Sequence, residues 1–151
     1  MRRWQRFALG TAGIVLAGGQ LVRPERTNPL TDPPRTLAAR HAVPQSVAQI
    51  LDRACRDCHS NDTRWPWYSH VAPVSWFVID HVNHGRSHFN YSDWARYSPG
   101  EGRKLLKGSC DLARETAMPL ASYALMHRSA RLSQADVEML CNWAIETTAA
   151  E

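Results

Sequence analysis

The sequence predicts an all-α domain with long irregular connections between its helices. Apolar residues recur at helical spacing in several stretches, whereas no alternation typical of a β-strand occurs between Pro44 and Glu151. The chain of 151 residues also contains nine prolines and six tryptophans. These two residue types indicate a loop-rich fold wrapped around something flat and apolar.

Four helices are expected after Pro44. Pro44 itself suits the first turn of the first helix, whose apolar face carries Val47, Ile50, Leu51 and Ala54. A second helix is predicted to open at Pro73 and to stop at Gly85. The apolar residues expected on one face of this second helix are Val74, Phe77, Val78 and Val82.

Serine-led capping patterns mark the last two helices. Ser98-Pro99-Gly100-Glu101 resembles a capping box with proline at the first helical position. The helix that follows is expected to carry the apolar residues Leu105, Leu106, Leu112 and Ala113. Ser133 is expected to cap the final helix, whose buried stripe is Val137, Leu140, Cys141, Ala144 and Ile145.

One short motif carries the chemistry: Cys55-Arg56-Asp57-Cys58-His59. Two cysteines separated by two residues and followed directly by histidine are typical of c-type haem attachment. Each thiol adds across one vinyl group of the porphyrin, and the adjacent imidazole then ligates the iron. We therefore expect one covalent haem c held by Cys55, Cys58 and His59.

The same motif has two other chemical interpretations, besides chance. Cys110 and Cys141 would complete a four-thiolate zinc site, although zinc sites usually bring cysteines in close pairs. A thioredoxin-like redox pair would stand at a helix N-terminus within a βαβ unit. Here the pair is expected at the end of a helical stretch, and no βαβ pattern surrounds it.

The N-terminus predicts export. Residues 1–22 combine a cationic start with an apolar run from Phe7, which is typical of a cleaved signal peptide or a retained membrane anchor. We expect residues 23–43 to be an extended, proline-rich linker and residues 44–148 to be the haem domain. Either fate of the N-terminus places the domain in the periplasm or outside the cell, with tethering to the inner membrane if the anchor stays.

Charge argues against nucleic-acid binding. Residues 1–40 carry seven arginines and two acidic residues, whereas residues 41–151 carry eleven basic and twelve acidic side chains. The net charge of +4 therefore resides in the N-terminal segment, and the predicted domain is close to neutral.

Met118 is the favoured second ligand of the iron. Pro119 disfavours helical conformation at Met118, so the thioether is expected to project from a loop between the C-terminal helices. Methionine with histidine raises the haem potential and leaves no open position for a substrate. The alternatives are an open iron or one of the rival ligands His70, His81, His84, His88, His127 and Met126.

The chain resembles the bacterial haem-binding domain family of small exported cytochrome c-like proteins. The resemblance covers residues 24–147 and begins with the haem motif extended by Ser60-Asn61. Further matching segments are Trp65-Pro66-Trp67-Tyr68, Ala72-Pro73-Val74-Ser75-Trp76, Gly85-Arg86, Asn90-Tyr91-Ser92-Asp93-Trp94, Met118-Pro119-Leu120, Tyr123, His127 and Leu132-Ser133. It implies a c-type haem at Cys55, Cys58 and His59 in a helical, cytochrome c-like fold.

Several side chains around the motif have two interpretations each. Trp65 and Trp67 either pack against the porphyrin or fill a satellite core. Arg64 and Arg86 either pair with haem propionates or are ordinary surface charges. Cys110 and Cys141 are expected to form a disulfide in an oxidising compartment; the alternative is two buried free thiols.

The expected function is that of a mono-haem electron carrier rather than an enzyme. Its partners would be redox proteins that bind transiently, because the chain has one haem motif and no second domain for a substrate. The alternative is a haem-based enzyme or sensor, for instance a peroxidase-like one, which requires a displaceable sixth ligand. A third, weaker interpretation is an electron-entry module of a larger membrane complex.

Overall fold

The structure, a computed structural model, describes residues 3–149, apart from the side chain of Arg6. Within these residues it is all-α and has no β-strand, as predicted. The α-helices are α1 (Arg3–Gly19), α2 (Leu37–Arg40), α3 (Gln45–Ala54), α4 (Arg56–His59), α5 (Val74–His88), α6 (Pro99–Arg114), α7 (Ala121–Met126) and α8 (Gln134–Ala149). Short 3-10 helices span Pro33–Arg35, Trp67–His70, Tyr91–Arg96 and Arg128–Ala130.

The core lies where α3, α6 and α8 meet, with aromatic side chains from the segment after α5. All four apolar residues predicted on α3 are buried. Leu106 of α6 and Leu140 of α8 pack in the same cluster as Phe89 and Trp94. Cys110 and Cys141 join α6 to α8 through a disulfide, with Cα atoms 4.9 Å apart, which confirms the predicted bridge.

Both predicted serine caps are present. At the start of α6, Glu101 N–H donates to Ser98 Oγ over 3.4 Å, and Ser98 N–H donates to the Glu101 carboxylate over 2.9 Å. The start of α8 repeats this exchange between Ser133 and Asp136 at 3.2 Å and 2.8 Å. Each pair satisfies N–H groups that a helix start leaves without intrahelical partners, so both helices begin where the sequence indicates.

The predicted end of the second helix is wrong, and so is half of its predicted apolar face. α5 continues past Gly85 to His88, and its buried stripe is Ser75, Ile79, Val82 and Arg86. Val74 and Phe77 are instead exposed. The buried stripe includes two polar residues, so a search for apolar periodicity alone misplaces part of the buried face of this helix.

One smaller expectation also fails in the C-terminal half. Ile145, predicted in the buried stripe of the last helix, is exposed, and Leu112 of α6 is exposed as well. Trp143 is buried in place of Ile145, and its indole N–H donates to the carbonyl of Ala42 over 3.0 Å. That hydrogen bond satisfies the polar group of the indole, which makes burial of the larger ring favourable.

The predicted linker is extended only in part. Pro33–Arg35 forms a 3-10 helix and Leu37–Arg40 forms α2, so the expectation of extended chain is wrong there. Proline is compatible with the first turn of a helix, and Thr36 Oγ caps α2 by accepting from Ala39 N–H. Leu37 is buried in the main core, which anchors this segment to the domain.

The N-terminal helix α1 is 17 residues long and mostly exposed. None of the described helices has the length and apolar character needed to cross a membrane. Met1 and Arg2 of the predicted cationic start lie outside the described residues.

Candidate haem site

The haem motif occupies one short helical turn. α3 ends at Ala54, and Cys55 lies between it and α4, which runs to His59. The N–H groups of Cys58 and His59 both donate to the carbonyl of Cys55, at 3.2 Å and 2.9 Å. This turn brings Cys55, Cys58 and His59 together, and neither cysteine of the motif is in a disulfide.

Both motif thiols are protonated at neutral pH. Burial raises the pKa of Cys55 to about 12 and that of Cys58 to about 11. A redox pair of the thioredoxin type needs a thiolate and therefore a lowered pKa. Although Cys55 stands at the start of α4, burial outweighs the effect of so short a helix, and the redox-pair interpretation has no support.

The zinc interpretation is excluded by the partners of the other cysteines. Cys110 and Cys141 are bonded to each other and have no thiolates to offer. In residues 3–149 no group of three or more histidine, cysteine or acidic side chains is placed to hold a metal ion.

The imidazole of His59 is held through one of its two ring nitrogens. Its Nδ1 lies 3.0 Å from the carbonyl oxygen of Phe89, which can only accept, so Nδ1 carries the proton and donates. Nε2 is then the nitrogen with the free lone pair. Burial lowers the pKa of His59, and backbone hydrogen bonds to Phe89 and Gly85 oppose this effect. Metal-binding histidines commonly have such a partner at their second nitrogen.

Gly85 permits α5 to lie directly against the motif. A Cβ built on Gly85 would be 2.6 Å from the carbonyl oxygen of Cys58 and 3.1 Å from its Cβ. Real side chains do not tolerate the first of these distances, so only glycine fits here. The sequence signal is Gly85, predicted as the end of the helix; its actual role is close packing.

Asp57, inside the motif, connects it to two other segments. One carboxylate oxygen accepts from the backbone N–H of Arg64 at 3.0 Å, and the other accepts from the hydroxyl of Tyr123 at 2.7 Å. The Asp57 carbonyl accepts from Thr63 Oγ1 at 2.6 Å. These bonds fix the loop after His59 and join the motif to α7. The sequence contained no pattern that predicted this role for Asp57 and Tyr123.

Arg86 is buried with its guanidinium among neutral oxygens. It donates to the carbonyls of Ser60 and Thr27, each at 2.7 Å, to Thr63 Oγ1 at 2.7 Å and to Asn28 Oδ1 at 3.1 Å. Arg86 therefore ties the loop after the motif to residues 27 and 28. Its predicted pairing with a haem propionate stays a prediction.

The segment of residues 20–30, here called the N-terminal strap, crosses the same region. The Gln20 side chain exchanges two 3.0 Å hydrogen bonds with the backbone of Ala72. The Trp65 indole donates to Asn28 at 3.1 Å, and the Trp76 indole donates to the carbonyl of Val22 at 2.7 Å. The strap is thus bonded to the loop between α4 and α5 at several points.

Of the three remaining candidates, Trp67 and Arg64 lie at the surface. Trp67 is 74 % exposed, which excludes a core-filling role for it, whereas Trp65 is half-buried. Arg64 binds the Asp52 carboxylate through both oxygens at 2.6 Å. Packing of Trp65 and Trp67 against a porphyrin stays a prediction.

Met118 lies in the loop between α6 and α7, outside any helix, as expected. Its N–H donates to the carbonyl of Leu112 at 3.1 Å, and its half-buried side chain lines a cavity of about 580 Å³. Cys55, Cys58 and His59 do not line that cavity. The Met118–iron bond stays a prediction.

Most of the rival ligands already have partners. His127 Nε2 is 2.7 Å from the hydroxyl of Tyr68, and its ring stacks on Tyr123 with centroids 4.3 Å apart. His81 Nδ1 donates to the carbonyl of Phe77, and His84 and His88 are paired with each other. Ligation of the iron by Met118 and not by one of these residues stays a prediction.

The chain belongs to the haem-binding domain family, because the model of that family matches residues 14–146. No curated protein and no solved structure matches the chain. The family supports haem as the cofactor, and the residues fit it: two free thiols, an imidazole whose Nδ1 is held by a carbonyl, and a glycine that lets α5 pack against the backbone of Cys58.

Proposed function

We propose that this protein is a mono-haem c-type cytochrome that transfers single electrons outside the cytoplasm. The observation that carries the proposal is the placement of His59 on one helical turn with two free thiols, its Nδ1 held by Phe89. A cytochrome c-like arrangement of the helices around one covalent haem belongs to the same proposal.

The two cysteines and the histidine of the motif each have a defined role in this proposal. Cys55 and Cys58 supply the two thiols for the thioether bonds, and their raised pKa values keep them protonated before attachment. His59 offers Nε2 as the proximal ligand. Haem, when bound, supplies a one-electron iron couple, whereas the chain sets its orientation and surroundings.

Met118 is proposed as the sixth ligand. Its position in a non-helical loop frees the thioether from a helix face, and the Cys110–Cys141 disulfide ties together the helices on either side of that loop. With histidine and methionine on the iron, no position is left for a substrate, which suits a carrier with transient redox partners rather than an enzyme.

An extracytoplasmic location is part of the proposal. Disulfides persist in oxidising compartments, and the Cys110–Cys141 pair is such a bond. The N-terminal sequence adds the export pattern, with the domain either released into the periplasm or tethered to the inner membrane.

A haem-based enzyme or sensor is the second candidate. It is supported by the cavity that Met118 lines, because Cys55, Cys58 and His59 do not line it. Met118 therefore has no observed contact with the motif through this cavity. A sixth position that Met118 leaves vacant or occupies weakly would bind a small ligand such as peroxide.

The near-infrared spectrum of the oxidised protein separates the two. We expect a methionine-to-iron charge-transfer band in the wild type and in Met126→Leu, a matched change at an exposed methionine. Met118→Leu should lose the band and lower the haem potential. A high-spin spectrum in the wild type would contradict the carrier and favour the enzyme or sensor.

A further inference from the structure

Two histidines on the last turns of α5 face each other at the surface. His84 and His88 are one helical turn apart and exposed, with their ring centroids 4.4 Å apart. Their Nε2 atoms are separated by 3.1 Å. Side chains at this sequence separation share one face of a helix, so the backbone already sets the spacing of the pair.

The separation of the two nitrogens matches a pair of ligands on one metal ion. With metal–nitrogen bonds of about 2.0–2.1 Å, two adjacent ligands are about 2.9 Å apart at 90° and about 3.3 Å apart at 109°. The observed 3.1 Å lies inside that range. In the absence of metal, the same contact is a hydrogen bond in which one Nε2–H donates to the other ring.

We propose that His84 and His88 form a binding site for a divalent transition metal, with Cu²⁺ bound most tightly. Imidazole suits copper, nickel and zinc, and Cu²⁺ has the highest affinity among the divalent first-row ions. In residues 3–149 no third histidine, cysteine or carboxylate joins such a cluster, so water completes the coordination.

The surroundings of the pair favour a cation. The two histidines stand in the C-terminal half of α5, and the end of a helix carries partial negative charge. Arg86 lies between them in sequence, but its guanidinium is buried and donates to Ser60 and Thr63 on the interior side. It therefore does not place its charge beside the two exposed rings.

This site is separate from the haem motif, although it is next to it in the chain. His88 directly precedes Phe89, whose carbonyl holds His59 Nδ1. Metal binding at His84 and His88 requires no haem, so it can be tested apart from the cytochrome function; it does require that neither histidine ligates the haem iron.

The test is titration of the oxidised, full-length protein, without an affinity tag, with Cu²⁺. Calorimetry gives stoichiometry and affinity, and electron paramagnetic resonance reports the nitrogen ligands through hyperfine splitting. We expect one Cu²⁺ per chain with two nitrogen ligands. Loss of an outer-shell partner costs about 10- to 100-fold in metal affinity, so His84→Gln and His88→Gln, which remove direct ligands, should cost at least that.

His70→Gln is the matched control, because His70 is another exposed histidine on a different helix. It should bind Cu²⁺ as tightly as the wild type. If His84→Gln and His88→Gln also retain wild-type affinity and two nitrogen ligands, the proposal is wrong. Haem content, measured on the same samples, reports on the cytochrome function separately.

Discussion

Two regions of the domain are built by different kinds of interaction. From residue 99 to residue 149, the buried side chains are apolar or belong to the disulfide. Around the haem motif, hydrogen bonds between polar groups hold much of the structure in place. Among the described residues, all nine buried polar or charged side chains lie between residues 57 and 92: Asp57, Ser60, Asn61, Thr63, Ser69, Ser75, Arg86, Asn90 and Ser92.

The difference follows from what each region has to hold. The helices α6 and α8 need only pack against each other and against α3. Buried apolar surface and the disulfide are sufficient for that. The motif must keep one imidazole and two thiols in a fixed arrangement. Directional hydrogen bonds fix such an arrangement better than apolar contact does, since each has a preferred distance and angle. Apolar packing stabilises one region, and polar contacts position the other.

The largest effect is expected from removal of the buried guanidinium. Arg86→Met leaves four oxygens without their donor, and the acceptors Ser60 O and Thr63 Oγ1 are buried. Since each unsatisfied buried group costs roughly 1–3 kcal/mol, we expect a loss of about 4 kcal/mol in the free energy of unfolding. Chemical denaturation of the haem-loaded protein measures it.

Arg64→Met is the control, because Arg64 is exposed and its ion pair with Asp52 is a surface one. Such pairs contribute about 0–1 kcal/mol. Equal losses in Arg86→Met and Arg64→Met would contradict the view that buried polar contacts organise the motif region.

The disulfide is the corresponding test of the apolar region. The Cys110→Ala, Cys141→Ala double variant opens a link across a sequence separation of 31 residues. The chain-entropy account gives a loss of about 3–4 kcal/mol for a loop of this size. Stability in denaturant should fall by that amount while haem content stays at the wild-type level. Loss of haem with unchanged stability would reverse the assignment of roles to the two regions.

A smaller effect is expected from a single methyl group at the helix contact. Gly85→Ala places a Cβ against the backbone of Cys58, and overpacking of this kind costs about 1–3 kcal/mol. Gly108→Ala on α6 is matched, because nothing beyond its chain neighbours and its own helix backbone lies within 4 Å of the added Cβ. That variant should be stabilised by up to about 1 kcal/mol. Thermal unfolding of both separates steric conflict from helix propensity; stabilisation of Gly85→Ala would refute the close-packing role.

The smallest effect concerns the pH dependence of the apolar region. Hydrogen bonds from Arg53 and from the backbone of Ser133 lower the pKa of Asp136 from 3.8 to about 2. Because the folded-state value is the lower one, this stabilisation is present above about pH 4 and is lost as the pH falls toward 2. The pair is partly solvated, so its contribution should be about 1 kcal/mol or less.

The Asp136→Asn variant should lack this component. Unfolding free energies measured at several pH values should therefore fall more steeply in the wild type than in the variant below pH 4. Parallel curves would show that the Arg53–Asp136 contact contributes nothing to folding.

The same two regions differ in how much of their structure could be predicted from the sequence. Helix periodicity and serine caps located α3, α6 and α8, because a buried apolar stripe and a cap leave local signals. The Cys55–His59 spacing located the haem motif for the same reason. The partners of Arg86, Asp57 and His59 were not predictable, since they are hydrogen bonds between residues distant in the chain. The helices of residues 33–40 escape prediction because the prolines of this segment also fit an extended chain.

The most direct test of the central claim is whether haem is bound covalently through Cys55 and Cys58. Protein matured in the periplasm with the haem-attachment machinery is extracted with acidified acetone, and the pellet is assayed as a pyridine haemochrome. We predict that the colour remains with the polypeptide and that the Cys55→Ala, Cys58→Ala double variant releases or lacks it. Complete extraction of the haem from the wild-type protein would contradict the account.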